Sequence, residues 1–548
     1  MLNDCKNPAH GDFQINCAMS LKERLGIPPV EVAKAILSKL KVEAFCSSVS
    51  MAGPGFINVK LSDAYLGELG AHLCTTIGQV PEGPKMRVVI DYSSPNVAKE
   101  MHVGHLRSTV IGDALARMFE SRGHTVIRQN HIGDWGTQFG MLTEHLIETK
   151  QESVDGSALN ALYKEAKGRF DAEPDFKDRS RKRVVLLQGG DKQTNDLWQQ
   201  LVSASRVYFQ QIYKSLRITL TDEHVRGESS YNALLQGVVD ELRGTGAVSV
   251  SEGATVAYIP GFFLRDGQPA PFIVQKADGG FGYAATDLCA IRHRTRDLKA
   301  NRILYVVDSR QSDHFIQVFH LAASSKFSAG SSPMHVQFGT IMGEDKKPFK
   351  TREGGTIRLM DLIEEATRRA LEEVKKRHPD MPSEEATAIA ETIAIGALKY
   401  NDLRADRVKD YVFTYDSMLA MDGNTGPYLQ YAYARICAIS RKAAPEDLAS
   451  GQPTDIAITH PAERALVLKV ALYDKVVDQV LDSCHPHVLC TYLHELTQAF
   501  HNFYESCPVL KEGVDVASRK SRLMMCQLVA KVLKDGLENL GVDVLERM

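Results

Sequence analysis

The alternation of hydrophobic and polar positions divides this 548-residue chain into stretches of different period. In residues 1–80, Pro29 opens a helix whose apolar face uses Val32, Ile36 and Leu40. After the turn Gly53-Pro54-Gly55, Ile57, Val59 and Leu61 alternate with polar residues as in a half-buried strand. This predicts a small α+β module, and Val80 to Lys85, with two prolines and a glycine, reads as a linker. Residues 86–145 read as strand (Val88 to Tyr92), helix (Leu106 to Arg122, ended by Gly123) and strand (Thr125 to Arg128). Such a βαβ unit implies a parallel sheet.

Residues 150–225 are polar and helical, broken at Gly189-Gly190. Strand-like runs return at Val256–Ile259, Phe272–Val274, Arg302–Val307 and His335–Ile341. The pattern predicts a sheet interrupted by an insertion at about 150–270 and then resumed. The segment 279–287 joins a strand to a helix, and Gly343 to Gly355 is a basic loop before a helix from about Leu359. From residue 383 to the end the period is helical, with Ile389, Ile393, Ala397 and Tyr400 on one stripe and Tyr428, Ala432 and Ile436 on another. Leu528, Val532 and Leu540 follow at compatible spacing. The predicted fold class is α/β: a parallel-sheet domain over 86–382, the small N-terminal domain over 1–80 and an independent all-α bundle over 383–548.

Composition narrows the function only by exclusion. An apolar content of 44% with 24% charged residues is that of a globular protein, and no run is long and apolar enough to span a membrane. The first residues carry no secretory or transit pattern, so a cytoplasmic location is expected. Ten scattered cysteines without a C-x-x-C pair read as reduced thiols. Cys484, His485, His487 and Cys490 cluster in sequence, but their spacing fits no common zinc pattern, and no metal is assigned. A net charge of −3 does not advertise a nucleic-acid binder. Any RNA partner must use local basic surface, such as Arg179, Arg181, Lys182 and Arg183 or the Arg404, Arg407 and Lys409 stretch, which read equally as solvated helix faces.

The most informative chemistry lies at residues 93–105, SSPNVAKEMHVGH, between the first central strand and its helix. There His102, Gly104 and His105 stand where a helix N-terminus offers unpaired N–H groups to an anion, with Lys99 three residues upstream. The sequence contains no P-loop and no kinase signature, so nucleotide binding rests on this turn. Lys346, Lys347, Lys350 and Arg352 sit in a loop able to close over pyrophosphate. Tyr283 and Asp287 are four apart and, with Glu228, would suit a planar guanidinium, which takes paired carboxylate hydrogen bonds. Tyr428 and Tyr431 share a helix face with Arg435 one turn on, a set that can stack unpaired bases or simply fill a bundle core and rim.

Taken together these blocks resemble the arginyl-tRNA synthetases, in class I of the aminoacyl-tRNA synthetases. The resemblance runs through AGPGFINV (52–59), SSPNVAKEMHVGHLRST (93–109), NHIGDWGTQFG (130–140), RGESSYN (226–232), GYAATDLCA (282–290), GEDKKPFKTR (343–352), GNTGPYLQYAYAR (423–435) and LGVDVLERM (540–548). It implies a Rossmann-like catalytic domain, an N-terminal additional tRNA-binding domain and a C-terminal anticodon-binding domain. The implied reaction activates L-arginine with ATP, accompanied by Mg2+, to an arginyl-adenylate, releasing pyrophosphate. The arginyl group then passes to the 2′-hydroxyl of the terminal adenosine of the arginine tRNA, releasing AMP. Activation in this family usually needs bound tRNA.

By position the resemblance implies that Asn96 and Gln311 hold the α-amino group, with Ser94 nearby. His102 would meet the carboxylate and the α-phosphate, Gly104 and His105 the adenylate, and Glu228, Tyr283 and Asp287 the guanidinium. Tyr428, Tyr431, Arg435 and Met548 would face the anticodon. One departure matters: the loop that in class I normally carries KMSKS reads Pro348-Phe349-Lys350-Thr351-Arg352, so the second lysine is lost. The family's remedy is a lysine upstream of the histidine turn, here Lys99, leaving Lys347 and Lys350 a supporting part. The N-terminal module begins close to its DFQ segment, where family members usually have more residues. A monomer is the family expectation, and membership of a multisynthetase complex stays open. A catalytically silent tRNA-binding paralogue is the alternative, against which the retained Asn96, His102, His105, Glu228 and Asp287 argue.

Overall fold

A computed structural model gives the structure of the protein and describes residues 2–5, 10–151, 159–349, 357–448 and 456–548. The N-terminal module pairs β1 (Leu2–Asp4), β2 (Phe13–Ile15), β3 (Cys46–Ala52) and β4 (Phe56–Leu61) in the antiparallel order β1-β2-β4-β3. Helices α1 (Cys17–Leu25) and α2 (Pro29–Leu37) cover it over a small core of Ala18, Val32, Ala33 and Ile57. α3 (Asp63–Thr76) lies against the C-terminal helices. Its two glycines permit this close approach: a Cβ on Gly67 would stand 2.1 Å from the Ile456 carbonyl oxygen. Arg464 completes the seam, donating to both carboxylate oxygens of Asp12 at 2.7 and 2.9 Å and to Asp63 at 2.9 Å.

In the central region β5 (Arg87–Asp91) leads to α4 (Val103–Ser121), then β6 (Thr125–Gln129) and α5 (Thr137–Glu148). A helical insertion follows: α6 (Leu159–Ala172), α7 (Pro174–Gln188), broken at Gly189-Gly190, and α8 (Lys192–Ser215). Next come α9 (Asn232–Thr245), β7 (Ser249–Ser251), β8 (Ala254–Phe263), β9 (Pro269–Gln275) and α10 (Tyr283–Arg296). The unit closes with β10 (Arg302–Tyr305), α11 (Ser312–Ser324), β11 (Ser332–His335), β12 (Ile341–Met342) and α12 (Leu359–Arg377). The parallel sheet has the order β11-β10-β5-β6, and Val88, Val89, Ile90, Ile303 and Leu304 are fully buried, as parallel strands covered on both faces require. Its strand order reverses between β5 and β10, the position where open α/β sheets bind ligands beyond their carboxyl ends.

The structure corrects several expectations. The runs at 256–259 and 272–274 do not rejoin the parallel sheet; they form, with β7, a separate antiparallel sheet β7-β8-β9. Its exposed side carries Tyr258 and Ile273, so the alternation was that of a one-sided sheet. The run 335–341 splits, because β11 ends at His335 and β12 leaves to pair with β13 (Tyr411–Val412). α4 starts at Val103 rather than near Leu106, which makes His102 its N-cap.

The C-terminal helices are α13 (Ser383–Leu403), α14 (Tyr415–Leu419), α15 (Gly426–Lys442), α16 (Pro445–Leu448), α17 (Pro461–Ala471), α18 (Tyr473–Ser483), α19 (His487–Ser506) and α20 (Val516–Asn539). They form one core with the catalytic region instead of an independent bundle. Arg107 on α4 donates to Asp402 on α13 at 3.0 Å and to the Lys409 carbonyl at 3.1 Å, with both side chains of the ion pair almost wholly buried. Breaking such a pair leaves an unpartnered buried charge. Arg107→Ala is therefore expected to cost about 3–5 kcal/mol, read as a lower urea midpoint by circular dichroism. An unchanged midpoint would show that the seam does not depend on this pair.

Candidate active site

The fold brings most of the predicted residues to one cavity of about 590 Å³ beyond the carboxyl ends of β5 and β10. Ser94, Asn96, His102, Gly104, His105, Glu228, Tyr283, Asp287 and Gln311 all line it. At one end stands the first turn of α4. His102 Nδ1 accepts from the Gly104 amide at 3.0 Å, and His105 Nδ1 accepts from the His102 amide at 3.1 Å, a reciprocal capping box. Each imidazole thus uses its acceptor nitrogen on its own helix, so the proton lies on Nε2. Burial lowers both pKa values, His105 to about 3, with His102 and Lys99 adding to the effect on His105. At neutral pH the pair is uncharged: two N–H donors beside a helix N-terminus. Gly104 has no substitute here, since a Cβ would stand 2.8 Å from the His102 ring.

Segment 357–359 secures this turn from the other side, with Val103 donating to the Ile357 carbonyl and Leu359 to the Met101 carbonyl. Ser93 and Ser94 adopt left-handed backbone, φ 70° and 47°. Both are held: the Ser93 amide donates to Ser108 Oγ and the Ser94 amide to Asn130 Oδ1. Asn96 lies over Gly133, where a Cβ would come within 2.2 Å of its Oδ1.

Carboxylates occupy the far end. α10 begins at Tyr283, so Tyr283 and Asp287 share a face as their spacing predicted. Burial pushes the Glu228 carboxyl up to about 8, and Asp134 and Asp287 add to the rise. Sequence reasoning missed the residues that hold these groups. Asp134, in the block 130–140, accepts from both the amide and the hydroxyl of Ser229 and fixes the turn that carries Glu228. His314 Nε2 lies 2.6 Å from Asp287 Oδ2. Buried Arg294 donates to Asp91 and Gln129 beneath the cavity floor. Arg310, folded back on Asp308, adds a cation near His102. Asp134 lies within a block already singled out, while His314, Arg294 and Arg310 have no periodic or motif signal of their own in a single sequence.

Other predicted residues lie elsewhere. Lys99 is not on the cavity wall; its ammonium sits over the Tyr163 ring, 4.7 Å from the centroid. Lys347 is in the exposed loop after β12, and Lys350, Thr351 and Arg352 lie outside the described residues. Tyr431 and Met548 line a second cavity of about 760 Å³ between α12, α13, α14 and α15. Tyr428 does not: a three-residue step leaves it about 60° round the helix from Tyr431, and its hydroxyl meets His501 Nδ1 at 3.0 Å. Arg435 stacks on Tyr504 instead. The candidate basic patches are mostly spent: Arg179 and Arg183 pair with Glu148 and Glu144, and buried Arg407 donates to backbone carbonyls. Cys484 and Cys490 are buried apart from the histidines, and the ligand atoms that converge are those of Asp406, His485 and His487, beside the Arg407 guanidinium.

Comparison with known proteins identifies the family. Residues 71–415 match the family profile described as tRNA synthetases class I (R), catalytic domain. Residues 429–548 match the DALR anticodon binding domain and residues 1–61 the arginyl tRNA synthetase N terminal domain. The chain is 48% identical over 543 residues to the arginine–tRNA ligase of Thermobifida fusca, covering 98% of this chain and 94% of that one. Against the arginine–tRNA ligase of Cellvibrio japonicus it is 47% identical, covering 99% and 95%. The crystal structure of the Plasmodium falciparum arginyl-tRNA synthetase superposes with a TM-score of 0.86 at 30% identity, covering 100% of this chain and 95% of that one.

The Glu228 carboxyl supplies a test with a definite sign. Below about pH 8 it keeps its proton in the free protein, so a guanidinium bound there against the ionised carboxylate would expel that proton. The affinity for L-arginine should then rise about tenfold from pH 7 to pH 9, each unit below the pKa costing about a factor of ten. Calorimetry in two buffers checks both the trend and the proton release. A flat profile in the unsubstituted protein would mean that Glu228 is already ionised.

Proposed function

This chain belongs to the arginyl-tRNA synthetase family and attaches arginine to tRNA, and from that premise we propose how its residues divide the reaction. The observation that carries the proposal is a single cavity with uncharged histidine donors at one end and the Glu228–Asp287 carboxylates at the other.

In this reading residues 1–80 bind tRNA, 86–382 carry the chemistry and 383–548 read the anticodon. Glu228, Tyr283 and Asp287 take the guanidinium, while Asn96 and Gln311 take the α-amino group beside Ser94. A lysine ammonium cannot satisfy two carboxylates as a planar fork does, so it is rejected. ATP enters as its magnesium complex, with the α-phosphate at the N-terminus of α4.

One arginine carboxylate oxygen bonds to the α-phosphorus as the bond to the β-phosphate bridging oxygen breaks, and pyrophosphate leaves. Nε2–H of His102 and His105 donate to the phosphoryl oxygens as charge builds, aided by the helix dipole over Gly104. Lys99 supplies the positive charge that Thr351 does not, with Lys347 and Lys350 supporting the departing pyrophosphate. The 2′-hydroxyl of the tRNA's terminal adenosine then attacks the carbonyl, the bond from that carbon to the phosphate oxygen breaks, and AMP leaves with the bonding pair, its phosphate taking the hydroxyl proton. The catalytically silent alternative is set aside, since the relatives at 47–48% identity are ligases and the site residues are retained together.

The second cavity suits an unpaired base: Tyr431 is 43% exposed at its wall and Met548 supplies a polarisable edge. We read the protein as a cytoplasmic monomer on the family resemblance, with no requirement for a larger complex.

Two measurements test these roles. Lys99→Ala should lower arginine-dependent ATP–pyrophosphate exchange by on the order of 10²-fold or more, the loss expected for one electrostatic stabiliser; an unaltered rate would end that assignment. Tyr431→Ala should raise the KM for tRNA about tenfold, as for one lost base stack, with the KM for arginine unmoved. A KM for tRNA equal to that of the unsubstituted enzyme would remove the base-binding role.

A further inference from the structure

The six residues before the histidine turn are gripped by the helical insertion as well as by the nucleotide-binding domain. Val97 donates to the Gly133 carbonyl at 3.0 Å, inside the domain. Further hydrogen bonds come from α6, α8 and the α12 cap. Ala98 is fully buried with φ 62°, a conformation costly to any residue with a Cβ. Its amide donates at 2.9 Å to Ser205 Oγ of α8, itself fully buried. Asn160 of α6 donates to the Glu100 carboxylate at 2.5 Å, which Arg358 meets at 3.5 Å. Between these two fixed residues stands Lys99, whose ammonium rests on the face of Tyr163 in α6 at 4.7 Å, without a carboxylate partner among the described ion pairs. A ring face holds a cation by its quadrupole, more weakly than a carboxylate would, and does not itself neutralise the charge. Burial is the main cause that lowers His102 and His105, and that charge adds to it at both.

We propose that the helical insertion positions the lysine of the reaction: Ser205 fixes the left-handed turn at Ala98, and the Tyr163 ring holds the Lys99 ammonium poised and unneutralised beside the histidine turn. A carboxylate at position 163 would keep the lysine but cancel its field. An aliphatic residue there would leave a four-carbon side chain free to swing, and positioning would be lost before the phosphate arrives. Tyr163 and Ser205 are thus positioning residues that touch neither ATP nor arginine. This inference rests on the reading of Lys99 given above.

The test is a double-mutant cycle in the full-length enzyme, followed by arginine-dependent pyrophosphate exchange in the presence of tRNA. Tyr163→Leu should lower kcat about tenfold, the range of one cation–π contact, with the KM for arginine unchanged. Tyr163→Phe, which retains the ring, should restore the rate. In the Lys99→Ala background, Tyr163→Leu should cost nothing further, because the group it positions is gone. Equal losses in both backgrounds, or a KM for arginine that rises with the loss, would overturn the proposal by showing a general packing defect. So would a normal rate in Tyr163→Leu with Lys99→Ala impaired, and that outcome leaves the role of Lys99 standing. A normal rate in Lys99→Ala would overturn both. Ser205→Ala, at a different contact, should repeat the pattern, a loss in kcat absent from the Lys99→Ala background.

Discussion

The active site depends on how the first turn of α4 is capped. A helix N-terminus leaves backbone amides without partners. Here the Nδ1 atoms of His102 and His105 satisfy two of them, at positions 104 and 102. The capping fixes which nitrogen of each ring bears the proton, and burial keeps both rings neutral. The same bonds that finish the helix therefore aim two N–H donors into the cavity. Local structure and chemistry share those bonds, so the turn tolerates little change: Gly104 has no room for a Cβ, and the strands beneath are filled on both faces.

The opposite end of the cavity works by incomplete satisfaction. Glu228 is buried near Asp134 and Asp287, which raises its carboxyl to about 8. Asp134 spends both oxygens on Ser229, and Asp287 has one oxygen against His314. Glu228 has no cationic partner among the described ion pairs. In the proposed reading, a guanidinium entering there supplies what the carboxyl lacks, and selectivity for a planar cation follows from a site kept short of positive charge.

Much of this was legible in the chain. The βαβ period located the sheet, and the turn at 102–105 located the capped helix N-terminus at one end of the cavity, because both signals are local. The i, i+4 spacing of Tyr283 and Asp287 proved to be a shared helix face once α10 was seen to start at Tyr283. Illegible were features that depend on distant pairing. Alternation at 254–275 marks a strand but not the sheet it joins, and those strands formed a sheet of their own. Asp134, His314 and Ser205 act through contacts 95, 27 and 107 residues away in sequence, which no local pattern encodes. Tyr428 does not share the cavity with Tyr431, because a three-residue step turns its hydroxyl to His501.

The remaining physical question is how a bundle with its own cavity bears on a turn built so tightly. The link is a buried polar knot at the middle of α4. Lys399 of α13, its pKa lowered by burial to about 8, donates to the Arg217 carbonyl at 3.1 Å and the Gly541 carbonyl at 2.8 Å, and faces Asp113 of α4. Asp113 accepts from Arg117 at 2.9 Å and from the Thr219 amide at 2.8 Å. Arg217 in turn holds Asp543 at 2.5 Å. The end of the insertion, the histidine helix, α13 and the C-terminal tail thus meet at one set of charges. From there the tail runs to Met548 at the second cavity. A buried charge that loses its partner costs about 3–5 kcal/mol, so these parts cannot slide past one another independently. The tail, α13 and α4 are thus tied together by polar contacts, and the histidines stand at the N-terminal end of that last helix.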